Sequence, residues 1–175
     1  MRTLLGFLLL FTSCTHSSLA PLALFSTPSV KPLVVIEPMT SRYKTPFSEE
    51  TAAIFTQSVL ERLELKDRII MESKHPQFSV KMQLVQHERS AHNPSELTMH
   101  IHLEILDLRE DKPKVILQEA LSSSALVEKN EPLNIDWKDA SFRMSPLGLA
   151  HQKLSREIAM RIEDYILLAK KGSSG

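Results

Sequence analysis

The chain has 175 residues, 21 of them Lys or Arg and 21 Asp or Glu, so it carries no formal net charge. That balance, with no block of basic residues, gives no footing for nucleic acid as a partner, and the length suits one domain with a real core. Glycine occurs only at Gly6, Gly148, Gly172 and Gly175, none of them where a phosphate-cradling loop or a nucleophile elbow needs one. With no paired-cysteine motif and no His-Glu-x-x-His, most nucleotide-binding and hydrolytic classes are excluded.

At the start, Arg2 precedes an apolar run, Leu4 to Phe11, followed by Thr12-Ser13-Cys14. The run is too short to span a bilayer, which takes about 20 residues, and suits the apolar region of a secretory signal. Two cleavage readings stand. One cuts after Ser18-Leu19-Ala20, which would leave Pro21 behind the cut; the other cuts before Cys14, after two small residues. Cys14 is the only cysteine, so no intrachain disulfide can form. The second pattern resembles the lipobox of bacterial lipoproteins, and lipidation of Cys14 is preferred over an incidental thiol. By resemblance to lipoprotein sorting, Thr15 after the cysteine points to the outer membrane. The expected organisation is a signal peptide at 1–13, a lipidated cysteine and tether at 14–31, a single domain at 32–172 and a tail at 173–175. Within the tether, Leu22 to Phe25 is apolar enough to lie on lipid or on a partner.

Pro32 to Pro38 reads as a short strand buried on both sides. A loop holding Arg42, Tyr43 and Lys44 leads to a helix that starts at Thr45, with Pro46 in its first position, or at Ser48. Its apolar stripe is Ala52, Phe55, Val59, Leu60 and Leu63, while Ile54 lies off it. Arg68 to Glu72 is a possible short strand, completing a crossover unit with the first strand and the helix.

Next comes the most regular stretch. Phe78, Val80, Met82 and Leu84 alternate with Ser79, Lys81 and Gln83; Leu97, Met99, Ile101, Leu103 and Ile105 alternate with Thr98, His100, His102 and Glu104. Period two, kept up twice around a polar gap with Asn93-Pro94, describes a long hairpin with one dry and one wet face. Function is expected on the wet face. His100, His102 and Glu104 share it at about 7 Å spacing, close enough for a metal, but with no further ligand pattern a solvated or partner-facing role is preferred.

Val115 to Val127 fits both an alternating strand and a helical face; its place directly after a strand and a turn favours a third antiparallel strand. Glu128 to Met144 is expected to be irregular, with Trp137 clamped over the core edge. The last helix is capped by Ser145, with Pro146 first. It carries Leu147, His151, Leu154, Ile158, Ile162, Tyr165 and Ala169 on one face and stops at Gly172. His151 is expected as a satisfied histidine at the boundary of the core. The expected fold is α+β: two amphipathic helices packed on one face of a mainly antiparallel four- to five-stranded sheet, in the order β-α-(β)-β-β-β-α.

Lipobox, first strand ending in a proline-bearing loop (Val34-Val35-Ile36-Glu37-Pro38), amphipathic helix, long antiparallel strands and closing helix together resemble the LptE family over essentially the whole mature chain. LptE is the outer-membrane lipoprotein of lipopolysaccharide assembly. The resemblance implies a non-enzymatic, lipid-anchored plug for an LptD-like outer-membrane β-barrel, with no cofactor. It also implies lipopolysaccharide contacts from basic residues at the hairpin turn and just after the last strand, positions held here by Arg89 and Lys129. On the residues alone these two are equally well read as ordinary surface charges. Two other classes stay open: a periplasmic accessory lipoprotein that activates or recruits a cell-wall synthase or ABC lipid transporter, and a metal-dependent enzyme built on the His100 face.

Overall fold

The computed structural model describes residues 30–42, 46–91, 94–127 and 139–172. Cys14, Lys129, Trp137 and nearly all of the tether lie outside them.

Two helices pack on one face of a mixed, mainly antiparallel sheet. The order is β1 (Leu33–Ile36), β2 (Thr40–Ser41), α1 (Pro46–Lys66), β3 (Ile70–Met71), β4 (Phe78–Arg89), β5 (Ser95–Asp107), β6 (Lys114–Val127), α2 (Ala140–Met144) and α3 (Pro146–Gly172). In space the strands run β3-β1-β4-β5-β6, with β2 beside β4. β1 is parallel to β3 and β4; β4, β5 and β6 form an antiparallel meander. The segment at 115–127 is therefore a strand, and Arg68 to Glu72 holds the short parallel strand expected there.

Two elements were not expected. Pro38 has no amide hydrogen, which ends β1, and the chain resumes along the same lane as β2, where Arg42 N donates to Leu84 O at 2.9 Å. The end of the supposed irregular connection is α2, capped by Asp139, whose side chain accepts from Ser141 N. β1 also departs from a strand buried on both sides. Only Val34 is fully buried and the rest are half-buried, because no described element covers the second face of the sheet.

The core lies between the helices and the sheet. Phe78, Val80, Leu84, Leu97, Met99, Ile101, Leu103 and Ile105 are sealed against Phe55, Val59 and Leu63 of α1 and Leu154, Ile158, Ile162 and Ile166 of α3. Leu60 is only half-buried, and Ile54 rests on the core margin. Each fully buried side chain of this size stabilises by about 1.5–3 kcal/mol over exposure. Alternation keeps the register, since a one-residue slip of β5 would carry its five core residues, Leu97 to Ile105, into water. A β-bulge breaks it once in β4: Leu84 pairs with Ile101 but Gln86 with His100, leaving Val85 extra. Beyond the bulge, odd-numbered residues take over the helix side.

Polar groups fasten the helices. α1 ends at Asp67, whose φ of 50° is a left-handed cap in a chain that has no glycine there. Ser58 Oγ donates to Ser155 Oγ at 3.0 Å and Arg62 Nε to the same oxygen at 3.1 Å; burial holds the Arg62 pKa below its usual value. Glu163, 2% exposed, takes Lys66 Nζ at 2.5 Å and an ion pair from Arg68 at 2.6 Å. Gly148 lies so close to α2 that a Cβ there would sit 1.9 Å from Phe142 O. His151 is fully buried, not at the boundary, stacked on Phe55 with centroids 4.4 Å apart. Arg109 forks onto Asp107 at 2.9 and 2.6 Å, donates to Ala169 O at 3.2 Å and lies over the Phe78 ring, tying β5 to the end of α3.

Candidate functional site

The face of the sheet away from the helices is the candidate site, and the period of two dictates what it displays. β4 contributes Ser79, Lys81 and Gln83, then, across the bulge, Gln86 and Glu88. β5 contributes Glu96, Thr98, His100, His102 and Glu104. Register sets Lys81 beside Glu104, Gln83 beside His102, and Gln86 beside His100. On the other flank Glu104 meets Gln118, His102 meets Ala120, and His100 meets Ser122. The result is a pleated lattice of donors and acceptors, in which Lys81, Gln83, Glu88 and Glu96 are exposed, Gln86, Thr98, His100, His102 and Glu104 are half-buried, and Ser79 is buried. No described element lies against it.

One end of this face is hollowed. Glu37, Pro38 and Thr40 rise beside Lys81, Gln83, His102 and Glu104 to form a shallow, open depression. Ser79 Oγ donates to Glu37 Oε1 at 2.9 Å and holds that carboxylate at the rim. Both signs of charge and the His102 imidazole meet here. Such a surface suits recognition of a polar partner through its side chains more than enclosure of a small molecule. Lys81 was legible in the alternation of β4. Glu37 was not, because its place at the hollow follows from the parallel register of β1 on β4.

His100, His102 and Glu104 do share one face, as their spacing requires. Among the described residues no three or more His, Cys, Asp and Glu gather in a metal-holding group. Arg89 is the last residue of β4 and pairs with Leu97, so the bulge sets it on the helix-covered side, half-buried. It is a strand-end residue at the margin of the core and not a cation on the turn itself. Val127, the last residue of β6, pairs with Ser95 at this same end of the sheet; Lys129 lies outside the described residues.

The family model DUF7499, described as a family of unknown function, matches residues 72–170. None of the curated proteins matches the chain in sequence. Among solved structures, the protein CT253 from Chlamydia trachomatis is 22% identical, with a TM-score of 0.67 over 78% of this chain and 98% of that one. Protein XCC0632 from Xanthomonas campestris, of family DUF330, is 10% identical, with a TM-score of 0.52 over 82% and 87%. The PelC dodecamer from Paraburkholderia phytofirmans is 9% identical, with a TM-score of 0.50 over 73% and 86%. At these identities the likeness shows the fold alone. Solved bacterial lipoproteins also match, at TM-scores of 0.37 to 0.42, too low to carry an argument. No helix of the described residues is long and apolar enough to cross a membrane.

Proposed function

The chain belongs to the DUF7499 family, and from that premise we propose that it is an outer-membrane lipoprotein that works by binding and not by catalysis. Acyl chains on Cys14 hold it to the membrane, each buried CH₂ adding about 0.8 kcal/mol of affinity. Its open sheet face docks into a larger partner, an LptD-like β-barrel of lipopolysaccharide assembly, as a plug. Arg89, at the hairpin end, and Lys129 meet lipopolysaccharide phosphate through charge-assisted hydrogen bonds.

The observation that carries this reading is the asymmetry of the sheet. One face is sealed by both helices over a continuous apolar core; the other is long, polar and uncovered by any described element. A sheet can leave one face to water, but the hollow at Glu37, Lys81, His102 and Glu104 gives this one relief and mixed charge to match against a partner.

Palmitate labelling and affinity capture from outer membranes test it. Label on the wild-type chain and none on Cys14→Ser, with a barrel protein recovered on the bait, is the expected outcome. Capture of a cell-wall synthase or an ABC lipid transporter would transfer the open face to the accessory-lipoprotein role. An unlabelled, freely soluble native protein would overturn the reading.

A further inference from the structure

α3 is 27 residues long, about 40 Å at 1.5 Å per residue. Its buried side is fixed by Leu154, Ile158, Ile162 and Ile166. Directly opposite, at spacings of three and four, run Leu149, Lys153, Arg156 and Met160, with Lys171 at the far end. Leu149 is 50% exposed and Met160 46%, and Leu168 on the flank is 66% exposed. The charges on this side are Lys153, Arg156 and Lys171 against Glu157 and Asp164; Arg161 is turned to Glu119 of β6 at 3.6 Å, and Glu96 shares an open hollow with Leu149 and Lys153. Burial in the core explains none of these apolar residues.

We propose that this outward stripe of α3 lies on an anionic phospholipid surface, with Leu149 and Met160 entering the headgroup layer and Lys153 and Arg156 meeting lipid phosphate. Two observations converge. The first is composition: flexible apolar side chains interleaved with long cations are what a helix lying in the interface presents. The second is the path of the chain. Lys170 Nζ donates to Val30 O, so the sequence ahead of Val30, with its apolar Leu22 to Phe25, joins the domain at the last turn of this helix. A segment drawn to the membrane would leave the domain beside the surface that α3 presents. This contact needs no acyl group, so its failure and that of the anchor are distinguishable.

The test uses the full chain carrying Cys14→Ser, with Trp137→Phe to clear the background and Leu149→Trp as a local reporter. It is mixed with vesicles of phosphatidylcholine alone or with about a third phosphatidylglycerol. The expected result is a blue shift and quenching by brominated lipid on the anionic vesicles only, fading at high salt. Lys153→Gln and Arg156→Gln should each weaken the signal's affinity about fivefold, the size of one cation at an anionic surface. Lys74→Gln, on an exposed loop, should leave it unchanged. Circular dichroism melting confirms that each variant is folded. A reporter that stays in water on anionic vesicles, responds equally to neutral ones, or keeps its affinity after both neutralisations overturns the proposal.

Discussion

Glu163 offers a test of which way a buried charge acts in this fold. Its side chain is 2% exposed, while its partners Lys66 and Arg68 are 44% and 60% exposed. The cations are therefore hydrated with or without Glu163, whereas the carboxylate depends on them. Replacing Glu163 with Leu removes one hydrogen bond and one ion pair but also the desolvation of the carboxylate. Exposed partners discount the electrostatic gain, so this variant should lie within about 1 kcal/mol of wild type. Removing both cations, Lys66→Ala with Arg68→Ala, strands the carboxylate. Breaking a buried pair costs about 3–5 kcal/mol; water can fill the space left by Lys66, which brings the expectation to about 2–4 kcal/mol. Urea unfolding, with an unchanged m-value, reads both variants. If Glu163→Leu costs as much as the double cation variant, the pair is a net source of stability and the reasoning from burial is wrong.

Gly148→Ala must push α2 away from α3, because its Cβ would meet Phe142 O; a loss of at least about 1–3 kcal/mol is expected in thermal melts. Gly172→Ala has open space and should melt as wild type does. The Arg109 guanidinium, hydrogen-bonded to Asp107, holds that carboxyl below the usual range. Because the folded pKa is depressed, this stabilisation is full above the unfolded value of about 3.9 and is lost as pH falls through the folded one. Arg109→Gln should thus cost about 1–3 kcal/mol at neutral pH and progressively less in acid, which a pH series of unfolding curves would check. Reversal of Arg89 and Lys129 to Glu should abolish lipopolysaccharide binding in a pull-down; retained binding removes them from the site. Calorimetric titration with zinc should show no uptake at His100 and His102; a stoichiometric isotherm would restore the metal-enzyme reading.

The layers and the faces were legible because they follow from periodicity. Every residue from Leu97 to Ile105 expected in the core is there, and His100, His102 and Glu104 stand together on the other side. What escaped were consequences of register and approach. Val85 gives no sign in sequence that it will bulge, yet it decides that Arg89 falls on the helix side. Glu37 joins Lys81 only through the parallel pairing of β1 with β4. Gly148 reads as an ordinary helix residue until the nearness of α2 explains it. A polar ring in an apolar stripe usually sits at the boundary of the core, yet Phe55 and Phe142 enclose His151.

The central claim is that the polar sheet face is occupied in the cell. Photo-crosslinking from His102, with a photoreactive residue in its place and the protein in its native outer membrane, tests it most directly. The account expects a discrete adduct with a β-barrel protein, absent when the probe is moved to Lys74. A probe at His102 that yields no adduct, while the protein remains membrane-bound and folded, would contradict it.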